Sequence, residues 1–265
     1  MMYITCDLLG PGDGQNFGLC NQMFQIAAIT SHAIDCNYTA TFPQIKLKSF
    51  GEYNKNIFQN VVCDTVDTTN FEYKVFDYGY HQLPHKPNIV YRGYFQSEKY
   101  FAHNRQAIKN LFTLPQHYLD YVMTKYGSVL QGETLSIHVR RGDYVNLPNH
   151  HPLADMDYYK SAIDHILGKV AITKYVVFSD DINWCINTFG YDDNIVYISD
   201  EADFIDLYIM SLCKHNIIAN STFSWWGAWL NDNDSKIVVA PDKWFGSARS
   251  DLNTKDLIPE TWIKI

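Results

Sequence analysis

The sequence predicts an α/β protein whose sheets are mostly parallel, and two patterns carry this prediction. Short apolar runs with extended periodicity alternate with segments of helical periodicity along most of the 265 residues. This strand–helix repetition is most regular in the second half of the chain, as expected for right-handed crossovers between parallel strands. The length is sufficient for two lobes that each bury a core. We therefore expect two unequal lobes with a cleft between them.

The first half of the chain is predicted to be less regular than the second. A glycine-rich loop, Gly10 to Gly18, follows the first strand, and residues 38–77 lack a clear periodicity. Ser97 is expected to cap one helix that continues to about Phe112, because Glu98 then lies in its first turn. The other elements expected here are a strand over Tyr3 to Leu8, a helix from about Gln22 to Cys36, a strand over 88–95 and a helix over 118–126.

The second half is expected to contain five strands and four helices in alternation, after a boundary near residues 127–132. The predicted strands are 134–139, 175–179, 194–198, 216–219 and 237–240. The predicted helices lie near 157–170, 181–189, 202–214 and 222–231. This order implies one parallel sheet with helical crossovers.

Composition and charge exclude several classes of protein. The net charge is −8 and the lysines and arginines form no run, which argues against a nucleic-acid partner. No segment reaches the roughly 18 apolar residues of a membrane span. The N-terminus lacks the pattern of a secretion signal. The six cysteines are scattered without a CxxC pair, so we expect reduced thiols and a cytoplasmic location.

Two adjacent arginines, Arg140 and Arg141, follow the apolar strand that ends at Val139, and Asp143 comes shortly after them. Ligands of open α/β sheets bind at the carboxyl ends of the strands. A guanidinium group binds phosphate oxygens in a planar, bidentate manner. The pattern therefore predicts a phosphorylated ligand, with a structural ion pair among these side chains as the alternative.

Two further strands end in polar residues. Asp180 and Asp181 follow one of them, where one carboxylate is expected to cap the next helix and the other to be free for a ribose hydroxyl or a guanine. Ser221, Thr222 and Ser224 follow a later strand. Ser221 and Thr222, with the free N–H groups of the next helix, predict a phosphate seat, since capping alone needs only one hydroxyl.

Other features of the sequence are weaker. The glycine-rich loop is either a plain turn or a place where backbone N–H groups and the Asn21 amide approach a ligand closely. We expect Trp225, Trp226 and Trp229 to lie in the core. The segment 155–157 fits a helix start, the segment 232–234 fits a solvated turn, and the pair 150–151 of histidines has no third ligand nearby. No catalytic metal is therefore expected.

Five ordered motifs span the chain from about residue 14 to residue 245. They are Gly18-Leu19-x-Asn21-Gln22-Met23-Phe24-Gln25, Gly93-Tyr94-Phe95-Gln96-Ser97-Glu98-Lys99-Tyr100-Phe101, His138-x-Arg140-Arg141-x-Asp143-Tyr144, Phe178-Ser179-Asp180-Asp181 and Asn220-Ser221-Thr222-Phe223-Ser224-Trp225-Trp226. Together they resemble the motifs of the α-1,2-fucosyltransferases of glycosyltransferase family 11.

The resemblance implies a GT-B fold, in which two Rossmann-like lobes with mostly parallel sheets face each other across a cleft. Residues 1–128 would form the N-terminal, acceptor-side lobe, and residues 129–265 the C-terminal lobe that binds GDP-fucose. The implied reaction transfers L-fucose, with inversion and without a metal, to a hydroxyl of a galactose-containing glycan, O2 of a β-galactoside in the usual case.

The resemblance also implies roles for individual residues. Two catalytic residues are expected, Arg140 on the donor β-phosphate and Asn21 near the fucose and the acceptor. The other implied roles are His138 against the nucleoside, Asp180 on the guanine, Ser221, Thr222 and Phe223 on the diphosphate, and Arg141 with Asp143 as supports of the loop.

Some points stay open at the level of sequence. Relatives usually carry glycine where this chain has Phe17 and Cys20, which puts the acceptor in question more than the donor. Asp13, His150, His151 and a donor phosphate oxygen are all candidates for the general base. The alternative functions are a related inverting transferase with another GDP-sugar or acceptor, and a non-catalytic glycan- or nucleotide-binding module.

Overall fold

The computed structural model describes residues 2–8, 18–43, 53–64 and 71–265. These residues group into two compact units. The first runs up to residue 115 and includes 252–259, and the second comprises 116–251 and 260–265. Most of the glycine-rich loop, with Asp13 and Phe17, lies outside the described residues. The helix α3 (Gln116–Tyr126), which precedes the expected boundary at residue 128, belongs to the second unit.

The first unit is built on a four-stranded parallel sheet in the order β2-β1-β4-β3. Its strands are β1 (Tyr3–Cys6), β2 (Thr39–Ala40), β3 (Glu72–Val75) and β4 (Ile89–Gly93), with helix α1 (Leu19–Cys36) between β1 and β2. Strand β3 falls in the stretch that was expected to be irregular. It pairs with β4 so closely that a Cβ on Gly93 would lie 2.1 Å from the Val75 carbonyl oxygen, so this position requires glycine.

The prediction of a single helix from Ser97 to Phe112 is wrong. Ser97 does cap a turn, since its Oγ accepts from the Lys99 N–H at 3.3 Å, but the turn is a short 3-10 segment. A second 3-10 turn follows, and only then does α2 (Arg105–Leu111) begin. The break falls at Phe101, whose backbone leaves the helical region (φ −147°, ψ −2°) while its ring is fully buried against Phe24. Burial of this side chain therefore overrides local helix propensity.

The second unit follows the predicted alternation closely. After α3 come β5 (Thr134–Val139), α4 (Met156–Leu167), β6 (Lys174–Ser179), α5 (Ile182–Phe189), β7 (Ile195–Ile198), α6 (Asp203–Leu212), β8 (His215–Ile217), α7 (Thr222–Leu230), β9 (Val238–Ala240) and β10 (Ile263–Lys264). Only β10 was not expected. Its side chains are too few and too mixed for a strand pattern in the sequence alone.

All six strands of this unit are parallel, in the order β10-β9-β8-β5-β6-β7. The chain adds β6 and β7 on one side of β5 and then returns to add β8, β9 and β10 on the other side. The direction of winding therefore reverses between β5 and β8. In doubly wound sheets, the crevice at such a reversal is the place where nucleotides bind.

The core of the second unit surrounds β5, whose six residues are all buried. Trp225, Trp226 and Trp229 are at most 1% exposed, so they are core residues as predicted. Helices α6 and α7 pack tightly, because a Cβ on Gly227 would lie 2.9 Å from the Met210 Cβ. None of the six cysteines is in a disulfide. Across the described segments, no helix is both long enough and apolar enough to traverse a bilayer.

Candidate functional site

Three of the predicted motifs meet at one edge of the second unit's sheet. Arg140 follows β5, Asp180 follows β6 and Ser221 lies just after β8, and these three strands are neighbours in the order β8-β5-β6. Neighbouring strands are about 4.8 Å apart, so the three strand ends span roughly 10 Å. The register places Val139 opposite Ser179, which brings Arg140 alongside Asp180. The motifs therefore form one continuous polar surface at the point of winding reversal.

The Arg140 guanidinium is held by two carboxylates. Its Nη2 donates to Asp143 Oδ1 at 2.6 Å, and its Nη1 lies 2.9 Å from Asp180 Oδ2. One third of the side chain remains exposed, and the group lies over the ring of Tyr144, 5.3 Å from the ring centroid. The ion pair considered above as the alternative to phosphate binding is thus present. The two carboxylates engage only part of the fork, since a guanidinium has five N–H groups.

Asp180 is not the free carboxylate that the sequence led us to expect. Its Oδ1 accepts from the Arg141 backbone N–H at 2.8 Å, and its Oδ2 pairs with Arg140. A Cβ on Gly142 would lie only 2.3 Å from Asp180 Oδ2, so the loop approaches this carboxylate as closely as glycine permits. Asp180 therefore anchors the start of the arginine loop.

Arg141 and Asp143, which were expected to support the loop, have different partners. Asp143 binds Arg140, whereas Arg141 donates from Nε to Asp181 Oδ2 at 3.0 Å and lies over the Trp184 ring at 4.2 Å. Asp181 is the capping carboxylate, because it accepts from the Trp184 N–H at the start of α5. Each member of the acidic pair thus fixes one arginine.

His138 lies at the end of β5 and is 5% exposed. Its Nδ1 is 2.9 Å from Ser224 Oγ, and that hydroxyl donates to the Ser221 carbonyl at 3.4 Å. This pattern assigns the ring proton to Nδ1 and leaves Nε2 as an acceptor. Burial, with a smaller effect of the Arg140 charge, lowers the pKa of His138 to about 3. The imidazole is therefore neutral across the physiological pH range.

The three hydroxyls at the start of α7 have different tasks. Ser221 is the N-cap and its Oγ accepts from the Phe223 N–H at 3.3 Å. Ser224 serves His138, whose ring lies 5.5 Å from the Phe223 ring. The half-buried Thr222 hydroxyl makes no hydrogen bond with any residue that the structure describes. It is available to a ligand, as the phosphate-seat prediction requires.

Asp206, which the sequence analysis did not single out, belongs to the same edge. It lies in the first turn of α6. Helices α6 and α7 both lead away from this edge, and their close contact at Met210 and Gly227 lies one turn beyond Asp206 and Phe223. Asp206 therefore lies at the level of Phe223. The only signal in the sequence is a lone acid within the apolar run Phe204 to Cys213.

The Asp206 carboxylate is buried and incompletely satisfied. Its Oδ1 has no hydrogen-bond partner among the described residues. Burial, together with the nearby charges of Glu201 and Asp203, raises the pKa of Asp206 to about 7. Glu201, by contrast, accepts hydrogen bonds of 2.6–2.9 Å from the side chains of three residues of α3: Tyr121, Lys125 and Tyr126. A buried carboxylate oxygen without a hydrogen-bond partner is typical of a ligand-binding group.

Asn21 lies in the first turn of α1, in the first unit. Its Oδ1 accepts from Gln96 Nε2 at 3.1 Å. Gln96 follows β4, the strand beside β1, so the first and second sequence motifs meet here at the carboxyl edge of the first sheet. Since the Asn21 amide nitrogen donates to no side chain or backbone group of the described residues, it can donate to a ligand.

Asp155 lies in the segment 155–157, which was expected to start a helix, and it is the N-cap of α4. Its Oδ1 accepts from the Tyr158 N–H at 2.9 Å at the start of α4. Within the described ranges, no group of three or more histidine, cysteine, aspartate or glutamate side chains is arranged to hold a metal ion.

Comparison with solved structures defines the class of fold. The NodZ α-1,6-fucosyltransferase soaked with GDP-fucose is similar with a TM-score of 0.56, at 12% identity over 86% of this chain and 92% of that chain. POFUT1 in complex with GDP-fucose is similar with a TM-score of 0.53, at 11% identity over 89% of this chain and 95% of that chain. The fold is α/β of the GT-B type, as predicted.

The chain belongs to glycosyl transferase family 11, whose family model matches residues 15–265. It is similar to the Escherichia coli O-antigen biosynthesis glycosyltransferase WbnK, with 39% identity over 65% of this chain and 59% of that protein. It is also similar to an E. coli alpha-1,2-colitosyltransferase, with 35% identity over 68% of this chain and 63% of that protein. The chain thus spans about three fifths of the length of these two relatives.

Human galactoside alpha-(1,2)-fucosyltransferase 1 is a more distant relative, 28% identical over 56% of this chain and 45% of that protein.

Proposed function

We propose that this chain is an inverting fucosyltransferase that moves L-fucose from GDP-fucose to O2 of a β-galactoside in a glycan, in the cytoplasm. One observation carries the proposal: a polar surface with a partly exposed arginine and several hydroxyls lies at the winding reversal between β5 and β8, where doubly wound sheets bind nucleotides. Membership of glycosyl transferase family 11 supports the reaction class.

In this proposal Arg140 binds the β-phosphate of the donor. Asp143, the more exposed of its two partners at 58%, gives up its hydrogen bond to the phosphate, while Asp180 keeps the guanidinium in place. Negative charge grows on the β-phosphate as the C1–O bond of fucose breaks. The bidentate contact then strengthens in the transition state, which is the condition for catalysis by electrostatic stabilisation. Arg140 would in this way supply charge stabilisation that a metal supplies in other enzymes.

The start of α7 would hold the rest of the diphosphate. Its first-turn N–H groups point toward the sheet edge, and the Thr222 hydroxyl is unengaged by the described residues. Ser221 keeps the turn in shape through its cap to Phe223. The phosphate is thus held by backbone N–H groups, one hydroxyl and one guanidinium.

The nucleoside would lie along the end of β5 and the starts of α6 and α7. His138 Nε2 is an acceptor for a ribose hydroxyl. Asp180 remains the residue that the family resemblance assigns to guanine, but both of its oxygens are engaged without ligand. Asp206 is a second candidate, because an ionised carboxylate can accept from guanine N1–H and N2–H together and its Oδ1 is unsatisfied.

The first unit would bind the acceptor, with the Asn21 amide near the reacting sugar. The general base that takes the proton of the acceptor hydroxyl stays open between Asp13, His150, His151 and a donor phosphate oxygen. Burial and the charge of Arg249 lower the pKa of His151, which makes it a weaker base than an ordinary imidazole.

A second candidate function is transfer of colitose, the 3-deoxy form of L-fucose, from its GDP derivative. The 35% identity to an alpha-1,2-colitosyltransferase favours it. The two candidates share the nucleotide site and differ only in whether the 3-hydroxyl of the sugar is recognised.

The test is a transfer assay with the purified chain, a panel of β-galactosides and equal concentrations of GDP-fucose, GDP-colitose and GDP-mannose. Mass spectrometry would identify the product and NMR its linkage. The proposal expects an α-1,2-fucosylated product with GDP-fucose, and Arg140→Lys as the inactive control. A preference for GDP-colitose would establish the second candidate. Tight GDP binding without transfer or donor hydrolysis would show a binding module instead.

A further inference from the structure

A column of side chains in ring contact runs from Arg140 across the surface of the second unit. The Arg140 guanidinium lies over the ring of Tyr144, 5.3 Å from its centroid. The Tyr144 ring stacks on His151 with centroids 4.5 Å apart and planes 18° apart. His151 then contacts Phe245 at 5.7 Å, and Arg249 lies over Phe245 at 5.7 Å.

The two loops that carry this column are clamped to each other. The Gly246 N–H donates to the His150 carbonyl at 3.0 Å, and the Ala248 N–H donates to the Asn149 carbonyl at 2.8 Å. A Cβ on Gly246 would lie 2.4 Å from the Asn149 carbonyl oxygen, so the approach depends on glycine. The rings of His151 and Phe245 are therefore carried by two backbone segments that are fixed to each other.

Asn220 ties both loops to the end of β8. Its Nδ2 donates to the carbonyls of Pro152 and Trp244, each at 3.0 Å. Its own carbonyl accepts from the Tyr144 hydroxyl at 3.1 Å. Because Ser221 is the next residue, the column and the start of α7 share one anchor.

The contribution of His151 to this column is its ring face. Its Nδ1 is buried and has no hydrogen-bond partner among the described residues. A buried, unsatisfied polar atom gives no stability, and an apolar ring of the same shape would avoid its cost. His151 therefore contributes to the structure through its stacking on Tyr144.

We propose that Tyr144 and His151 are positioning residues that fix the plane of the Arg140 guanidinium at the donor phosphate. The inference rests on the phosphate role of Arg140 proposed above. Asp143 and Asp180 each bind one end of the guanidinium. Once a phosphate replaces Asp143, one carboxylate remains, and the Tyr144 ring, held in place by its stacking on His151, keeps the fork aligned.

Steady-state kinetics of three variants test this role. His151→Ala removes the brace, and we expect kcat to fall about 10- to 100-fold with the KM for the acceptor unchanged, because a displacement near 1 Å at a reacting group costs up to about 100-fold. His151→Phe restores the ring and should recover most of kcat. His117→Ala, which removes an imidazole that contacts the Tyr118 ring in α3 with centroids 4.1 Å apart, is the matched control and should leave kcat unchanged.

A wild-type kcat in His151→Ala, or a loss in His151→Phe as large as that in His151→Ala, would overturn the proposal. Far-UV circular dichroism would confirm that each variant is folded, and the phenylalanine variant decides the matter where the alanine variant is unfolded.

A second measurement does not depend on turnover. The chain has five arginines, so ¹⁵N NMR of the Nε–H groups gives few signals, and Arg140→Lys identifies that of Arg140. With GDP bound, we expect the Arg140 signal to be ordered in the wild type and in His151→Phe and averaged in His151→Ala. Equal order in all three would contradict the proposed brace. Absence of transfer with every GDP-sugar would remove the proposed function while this readout still decides the role of the column.

Discussion

At the scale of single residues, Arg140 is the group on which the proposed chemistry depends. It is fixed by Asp143 and Asp180 and braced by an aromatic face. The sequence alone predicted a phosphate-binding arginine at this strand end, and the structure places it at the winding reversal. It could not predict which carboxylate would hold which arginine, because these pairings depend on how the loop after β5 meets the end of β6.

We expect Arg140→Ala and Arg140→Lys to be folded and nearly inactive. Loss of one electrostatic contact to the developing charge costs about 2.7–4 kcal/mol in barrier, or about 100- to 1,000-fold in kcat. Lysine keeps the charge but loses the planar fork. The measurement is kcat with GDP-fucose, and circular dichroism is the check on folding. Turnover within a few fold of wild type in either variant would remove Arg140 from the mechanism.

Titration of Asp206 should make GDP affinity depend on pH in a defined direction. Its pKa is raised from 3.8 to about 7. If guanine binds the ionised carboxylate, GDP affinity should fall as the pH drops below about 7, approaching tenfold per pH unit, because a proton must first leave. Calorimetric titrations of GDP between pH 5.5 and 8 would measure it. Asp206→Asn should bind weakly at every pH, and an unchanged slope in that variant would exclude Asp206 as the source.

At the scale of elements, the start of α7 carries a hydroxyl with a structural role, that of Ser221, and one with a proposed binding role, that of Thr222. Ser221→Ala removes the cap to Phe223 and should cost about 1 kcal/mol of unfolding free energy. Thr222→Val removes a hydroxyl without a partner among the described residues, so stability should change by less than about 0.5 kcal/mol while the KM for the donor rises. Thermal unfolding and donor titrations measure both. A Thr222→Val variant with a wild-type KM would contradict the phosphate seat.

Apart from β10, the elements of the second unit were predictable because short apolar strands alternate with helix-period segments. In the first unit the chain is less regular and tertiary packing decides. Phe101 breaks the expected helix by burying its ring, and β3, with exposed glutamate and lysine, has no apolar run. Asp206 escaped notice for a related reason: its burial depends on the packing of α6 against α7.

For the whole molecule, the proposal places on Arg140 and the α7 N-terminus the charge stabilisation that a divalent metal supplies elsewhere. We therefore expect full transferase activity in excess EDTA. The assay is GDP release with a β-galactoside after exhaustive chelation, with Mg²⁺ and Mn²⁺ added back separately. Loss of activity that either ion restores would contradict the metal-independent mechanism.

The central claim is that the donor's diphosphate binds at the carboxyl edge of β5 and β8. A crystal structure of the protein with GDP-fucose tests it most directly. The account predicts the diphosphate within hydrogen-bond distance of the Arg140 guanidinium, the Thr222 hydroxyl and the first N–H groups of α7, with Asp143 displaced from Arg140. A diphosphate bound elsewhere, with both carboxylates still on Arg140, would contradict it.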